Sequence, residues 1–359
     1  MRTIRPDFFD EFRCTASACA GNCCAVGWEI DVDEAAAARY RALPGALGER
    51  VRAALVESPE GCSLAMGPDG RCPLLTKEGL CALVLQYGEG YLCSICTEHP
   101  RFYNWYGDCK EMGVGLCCEE ACRLLFLGRG PLRFLEGECP DEPGAPDPMA
   151  EPLRKARAGM FALLADQALP LKERFCRLLS WGEGAQAAFD AEDPAAMEHS
   201  APRDAAEQEP CAREKEEGLG ALLRLFAGLE FLDPGFGKAL LRAQQNVKAL
   251  AGAPPARGGF YERLAAYGLY RWLIQSLDDG RALARVGFVA AACIVVRALA
   301  LSESWEEAHA VREFSKEIEY SDDNMEALFC ALEDPRNLAA VRAAAAALFG
   351  EGKPPMPQA

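Results

Sequence analysis

Apolar residues recur at helical spacing through most of the second half of the chain. The stretches "EPLRKARAGMFALLADQA" and "LKERFCRLLSWGEGAQAAF" place Leu, Phe, Met and Ala three or four positions apart, the period of an amphipathic helix. The same spacing predicts helices near residues 218–232, 235–251, 258–278, 281–301, 303–319, 322–333 and 335–349, with "LDPG", "GAPPARGG" and "LDDG" as turns between them. No strict repeat period is visible. The first 136 residues read differently. "WEIDVDEAAAARYRAL" predicts a short strand over residues 28–32, then a helix opened by Asp33. "MGPDGRCPLLTKEGLC" brackets an apolar triplet with two turn signals, so short hairpin-like pieces are expected around Cys72 and Cys81. The pattern predicts a mainly α protein: a small cysteine-rich module of helix and loop with short strands, held by something other than a sheet, followed by an all-α helical domain.

Composition sets the expected boundaries. Residues 1–136 form the cysteine-rich module. Residues 137–152, "GECPDEPGAPDPMAEP", are too rich in Pro, Asp and Glu to continue a helix and read as a linker. A helical segment follows at 153–189, then a second, acidic linker at 190–217. The all-α domain is expected over 218–350, with 351–359 as a frayed tail.

Charge removes one class of partner. The net charge of -16 argues against nucleic acid, whose binding needs clustered Lys and Arg. It favours a basic or lysine-bearing target only weakly, because acidity also serves solubility. The opening "MRTIRPDFFDEF" has no apolar h-region, so no secretory signal is expected. The longest apolar run, "VGFVAAACIVV", is shorter than the roughly 20 residues a spanning helix needs. A cytoplasmic protein without membrane insertion is the expectation.

The cysteines change the picture most. Of 18, 14 lie between Cys14 and Cys139. In a reducing compartment such density points to metal or redox chemistry rather than disulfides. The spacings are Cys14-x4-Cys19-x3-Cys23-Cys24, Cys72-x8-Cys81, Cys93-x2-Cys96 and Cys117-Cys118-x3-Cys122. Four thiolates complete a tetrahedral zinc or a cubane iron–sulfur site, and both need ligands converging from separate segments. Neighbours such as Cys23 and Cys24 point in different directions. Either one ligates while the other packs, or two sites share the region.

These residues resemble the flagellin lysine-N-methylase family, relatives of the cysteine-rich zinc- or iron-chelating domain proteins. "FRCTASACAGNCCAVGWEIDVDE", "CPLLTKEGLCALVLQYGEGYL", "CTEHPRF" and "EMGVGLCCEEACRLL" follow that family's ordered motifs over about residues 5–127. The resemblance implies metal ligands among Cys14, Cys19, Cys23, Cys24, Cys72, Cys81, Cys96 and Cys118. It implies a [4Fe–4S] cluster, with zinc as the alternative, and methyl transfer from S-adenosylmethionine to lysine side chains of flagellin. The chain departs from the pattern at His99, Glu119 and Cys122, and carries extra thiols at Cys62, Cys93, Cys109, Cys117 and Cys139. His99, three residues after Cys96, is a further candidate ligand or simply a packed residue.

Methyl transfer to lysine requires an uncharged nitrogen, and an unperturbed lysine titrates near 10.4. A site must desolvate the amine or supply a base, and must align nitrogen, methyl and sulfur. Aromatic faces attract sulfonium and ammonium alike, by about 1 kcal/mol. "PRFYNWYGD" supplies such faces, so Tyr103 and Tyr106 are expected as catalytic-site walls and Trp105 as a donor contact. Arg101 is expected to serve catalysis or to hold the donor's carboxylate. The competing reading is that these aromatics pack the module's core and Arg101 ties down a loop. Glu119 and Glu120 stand where acidic residues stabilise a helix start in any case. No G-x-G-x-x-G follows a strand, so the common nucleotide-binding fingerprint is absent. A non-enzymatic zinc- or iron-binding chelator or carrier is the alternative function.

Overall fold

The computed structural model describes residues 1–350 except 60, 203–208, 255 and 257. The expected tail at 351–359 and part of the expected acidic linker lie outside the described residues. The strands are β1 (Arg2–Pro6), β2 (Ile30–Val32), β3 (Leu55–Ser58), β4 (Gly61–Leu64), β5 (Arg101–Tyr106), β6 (Cys109–Val114) and β7 (Phe134–Glu138). The helices of the first half are α1 (Glu34–Ala42), α2 (Gly45–Ala54), α3 (Ala82–Tyr87), α4 (Ser94–Glu98) and α5 (Glu119–Leu127). Then come α6 (Ala150–Ala165), α7 (Leu171–Asp190), α8 (Pro194–Glu198), α9 (Ala212–Ala227), α10 (Pro234–Gln245) and α11 (Val247–Ala251). The last are α12 (Gly258–Trp272), α13 (Ser276–Asp279), α14 (Ala282–Glu303), α15 (Glu307–Phe314), α16 (Asp322–Leu332) and α17 (Pro335–Phe349). The protein is mainly α, and among the described residues its strands are confined to the first 138.

Two compact units divide the chain. The smaller holds residues 11–102 and 114–121; the larger holds 1–10, 103–113 and 122 onward. The expected module of residues 1–136 is thus shared between the two, because β1, β7 and most of β5 and β6 belong to the larger unit.

The smaller unit is built on the three-stranded antiparallel sheet β2-β4-β3. β2 alternates buried, exposed, buried, as a strand covered on one face must. Ala36, Ala37 and Tyr40 line one side of α1 and join Ile30, Val32, Val51, Leu64, Leu74 and Leu83 in the core. Asp33 caps α1 as its sequence predicts, its carboxylate accepting from the Ala36 N–H at 2.9 Å. The expectation of a module held without a sheet is corrected here. β2 and β4 turn Ile30, Val32 and Leu64 into the core that α1 and α2 share, while β3 lies at the sheet edge and is exposed beyond Leu55.

The larger unit carries the sheet β5-β6-β1-β7, in which β1 runs parallel to β6 and antiparallel to β7. Helices from α6 onward surround α14, which is apolar on every side and correspondingly buried. At 22 residues α14 is long and apolar enough to cross a bilayer, contrary to the shorter run read from sequence. Most of its apolar window is covered by protein instead. α9 and α17 approach closely: a Cβ on Gly218 would stand 2.6 Å from that of Ala343.

Three helices begin on the same two-residue signal. Asp193, Asp233 and Asp334 each precede a proline, and each carboxylate accepts a backbone N–H of the first turn at 2.8 or 2.9 Å. Asp193 therefore starts α8 inside the expected acidic linker, and α9 begins within it too, at Ala212. The helix expected over 235–251 breaks at Asn246, and that over 303–319 starts later, at Glu307, running as α15 and then a π-helical turn, Ser315–Glu319, to its expected end.

A buried carboxylate ties sheet to helices in the larger unit. Glu111 on β6 is fully buried and accepts from Arg157 at 2.7 and 2.8 Å and from Arg154 at 3.1 Å. Tyr270 on α12 donates to the Ile4 carbonyl at 2.7 Å and accepts from the Met112 N–H at 3.0 Å. Removing one partner of such a network strands the others without water. Glu111→Ala is expected to cost about 3–5 kcal/mol in urea unfolding; a loss below 1 kcal/mol would show that the two arginines find other partners.

Candidate metal centre

All eight cysteines that the resemblance singles out fall in the smaller unit, although they span more than 100 positions of sequence. Cys62, Cys93 and Cys117 join them there; Cys109, Cys122 and Cys139 belong to the larger unit. None of the 18 cysteines is joined in a disulfide.

Backbone hydrogen bonds gather the cysteine segments. The Cys72 N–H donates to the Cys24 carbonyl at 2.7 Å. Asn22 works in two directions: its carbonyl oxygen accepts from the Cys24 N–H at 3.0 Å, and its amide donates to the Gly79 carbonyl at 3.2 Å. Gly79 sits at φ +77°, inside the turn whose bridge pairs Leu75 with Cys81. Cys72 and Cys81 thus flank the hairpin-like turn that the sequence predicts. Cys93 caps α4 and Cys96 lies one turn on. The other carboxylate oxygen of Asp33 accepts from the Ser94 N–H at 2.8 Å and its hydroxyl at 2.9 Å, tying α1 to the Cys93–Cys96 turn.

The thiols divide into two neighbourhoods. Cys72 and Cys93 are part of the apolar core, and Cys24, Cys62, Cys81 and Cys96 pack against it. Within this inner group, the Cys24 thiol is raised first by its hydrogen bond with Cys23 and by burial, with Cys72 and Cys81 adding to it. Cys96 is raised by Cys93 and by burial, then by Cys24 and Cys72. Their partners move the other way: Cys93 falls to about 6 on the hydrogen bond from Cys96, and Cys23 to about 4 on that from Cys24, helped by His99. The outer group is Cys19, Cys23 and Cys118. Burial pushes Cys118 up to about 11, and the charges of Cys19 and Cys23 act in the same direction. Cys14 is exposed and accepts the Ala16 N–H at 3.4 Å.

His99 stands beside the outer group, with Nε2 4.0 Å from the Cys117 sulfur and its ring 5.2 Å from that of Trp28. Glu119, read above as a helix-start residue, accepts from the backbone N–H groups of Ala20 at 2.9 Å and Gly21 at 3.3 Å. It holds the loop after Cys19 to the start of α5. Sequence spacing gave no signal for this clasp, which joins residues about a hundred positions apart.

Among the described residues, no three Cys, His, Asp or Glu side chains are arranged closely enough to hold a metal ion. The donor chemistry fits a thiophilic metal: reduced sulfurs from separate segments, with Cys24 and Cys96 feeling their neighbours' charge.

The aromatic candidates are not brought to the cysteines' unit. Tyr103, Trp105 and Tyr106 belong to the larger unit, where Tyr106 donates to Asp278 and the rings of Tyr103 and Trp105 flank Lys110. Arg101 stays in the smaller unit, its guanidinium 5.2 Å from the Phe12 ring centroid.

Two outcomes test this arrangement. Alkylation in denaturant without reductant should modify all 18 cysteines; a deficit of two per molecule would reveal a disulfide. Ser94 and then Ala36 hold the Asp33 carboxyl down to about 2, from an ordinary value of 3.8. Its contribution is therefore present above pH 4 and lost as pH falls towards 2. Asp33→Ala is expected to cost about 1 kcal/mol at neutral pH, with the gap to the parent chain closing across that acid window. A gap that persists at pH 2 would contradict the assignment.

Among curated proteins, the flagellar biosynthetic protein FliU of Salmonella muenchen is 27% identical to this chain over 126 residues, covering 33% of this chain and 74% of its own length. Lysine-N-methylases of Salmonella typhimurium and Salmonella choleraesuis are each 26% identical over 126 residues, again 33% of this chain but 31% of their own. The chain therefore matches under a third of the length of those two methylases. No family model and no solved structure matches it.

Proposed function

We propose that this chain binds a metal through thiolates of its smaller unit and methylates lysine side chains of a protein, with S-adenosylmethionine as donor and flagellin as substrate. One observation carries the reading: all eight motif cysteines share one unit and none is consumed by a disulfide. The names of the partial relatives, a flagellar biosynthetic protein and lysine-N-methylases, support lysine methylation and a flagellar context.

Cys24, Cys72, Cys81 and Cys96 are our choice of ligands, because they pack on one core and their charges act on one another. A [4Fe–4S] cluster is the first candidate and zinc the second. When bound by all four thiolates, either would be coordinatively closed and would serve to hold the segments of the smaller unit together. The protein's own part is to shield the site from water and to keep the reacting lysine uncharged, since an exposed lysine is almost wholly protonated at neutral pH. Arg101 suits a donor carboxylate by charge. Tyr103 and Trp105 suit the substrate ammonium, and they already flank one. Tyr106 is the weakest of the expected catalytic residues, its hydroxyl being engaged by Asp278.

A second reading keeps the metal and drops the reaction. It is favoured by the placement of the aromatic candidates in the unit without the motif cysteines. Anaerobic reconstitution followed by incubation with labelled S-adenosylmethionine and flagellin separates the two. Label in flagellin lysines supports the methyltransferase; metal bound with no label supports a chelator or carrier. Serine at Cys72 or Cys96 is expected to lower metal content severalfold, while serine at the exposed Cys14 leaves it nearly unchanged. Equal losses at all three would sink the inner set.

A further inference from the structure

Lys110 on β6 lies against two aromatic rings of β5, to which Gly107 and Asp108 connect it. Its Nζ is 4.9 Å from the Tyr103 ring centroid and 5.0 Å from that of Trp105. The two rings stand 5.5 Å apart, tilted by 36°, so they form two walls rather than one stack. Asp141 closes a third side, its carboxylate 2.8 Å from Nζ. The Lys110 side chain is only 17% exposed, whereas Trp105 is 53% exposed and leaves the mouth open. All four residues belong to the larger unit.

Two π faces and a carboxylate around one ammonium are the elements of a cation-recognition site. A plain lysine is held there by its N–H bond to Asp141. A quaternary ammonium has no such bond, but it is weakly hydrated and loses less on leaving water for the ring faces. We propose that Tyr103, Trp105 and Asp141 form an ammonium-binding site, filled in this structure by the chain's own Lys110, which takes a methylated lysine of another protein when Lys110 is displaced. The choice of methylated lysine over other organic cations rests on the protein-lysine chemistry proposed above.

The test is binding of a trimethyllysine peptide and its unmodified counterpart, by titration calorimetry, to the full chain and to Lys110→Ala. No methyl donor or metal is present, so binding can succeed while methyl transfer fails, and the reverse. Lys110→Ala should bind the trimethylated peptide about tenfold more tightly than the parent chain and prefer it to the unmodified one. Adding Trp105→Ala should abolish the gain. Equal binding by parent and Lys110→Ala, or binding that survives Trp105→Ala, would overturn the proposal. A second measurement covers the case in which Lys110→Ala fails to fold. Reductive methylation of the parent chain with labelled formaldehyde should give one lysine methyl resonance shifted upfield by the rings, missing in Trp105→Ala. An unshifted Lys110 resonance would remove the occupant, and the site with it.

Discussion

The constraint on which the smaller unit depends is that reduced sulfurs from four stretches of chain must be brought together without bonding to one another. A sheet of three short strands offers little apolar surface, so the cysteine loops are tied in by individual polar bonds. The Cys72–Cys24 backbone bond, the two-way Asn22 amide, the double acceptance by Asp33 and the Glu119 clasp each join distant segments. Each is worth only about 1 kcal/mol. A thiophilic metal would add far more, which makes such a unit sensitive to its presence.

The larger unit works on a different principle. Its helices bury one another around α14, and several of its buried charges are paired, as at Glu111 with Arg154 and Arg157. Its stability does not call on the clustered cysteines. Loss of the proposed metal is therefore expected to show first in the smaller unit.

Helices in the larger unit were legible because their apolar stripes repeat with a local period and their ends carry Asp-Pro or glycine signals. Missing α8 inside a supposed linker was avoidable, since Asp193-Pro194 is the same start signal as Asp233-Pro234. The turn between Cys72 and Cys81 was legible for a similar reason: Gly79 supplies a backbone angle the turn needs. What escaped was non-local. β1 pairs with β6 and β7, more than 100 residues away, and no periodicity in five residues announces a partner. The same holds for the site, where spacing picked out the sulfurs but not which of them neighbour one another. The aromatics of β5 lie just past the point where the chain changes units, a boundary that sequence adjacency to Cys96 does not mark.

Extended X-ray absorption fine structure at the metal edge of the anaerobically purified, metal-loaded protein tests the central claim most directly. The account predicts a shell of sulfur scatterers at about 2.3 Å, with four sulfurs per metal. A first shell of oxygen and nitrogen alone would contradict it.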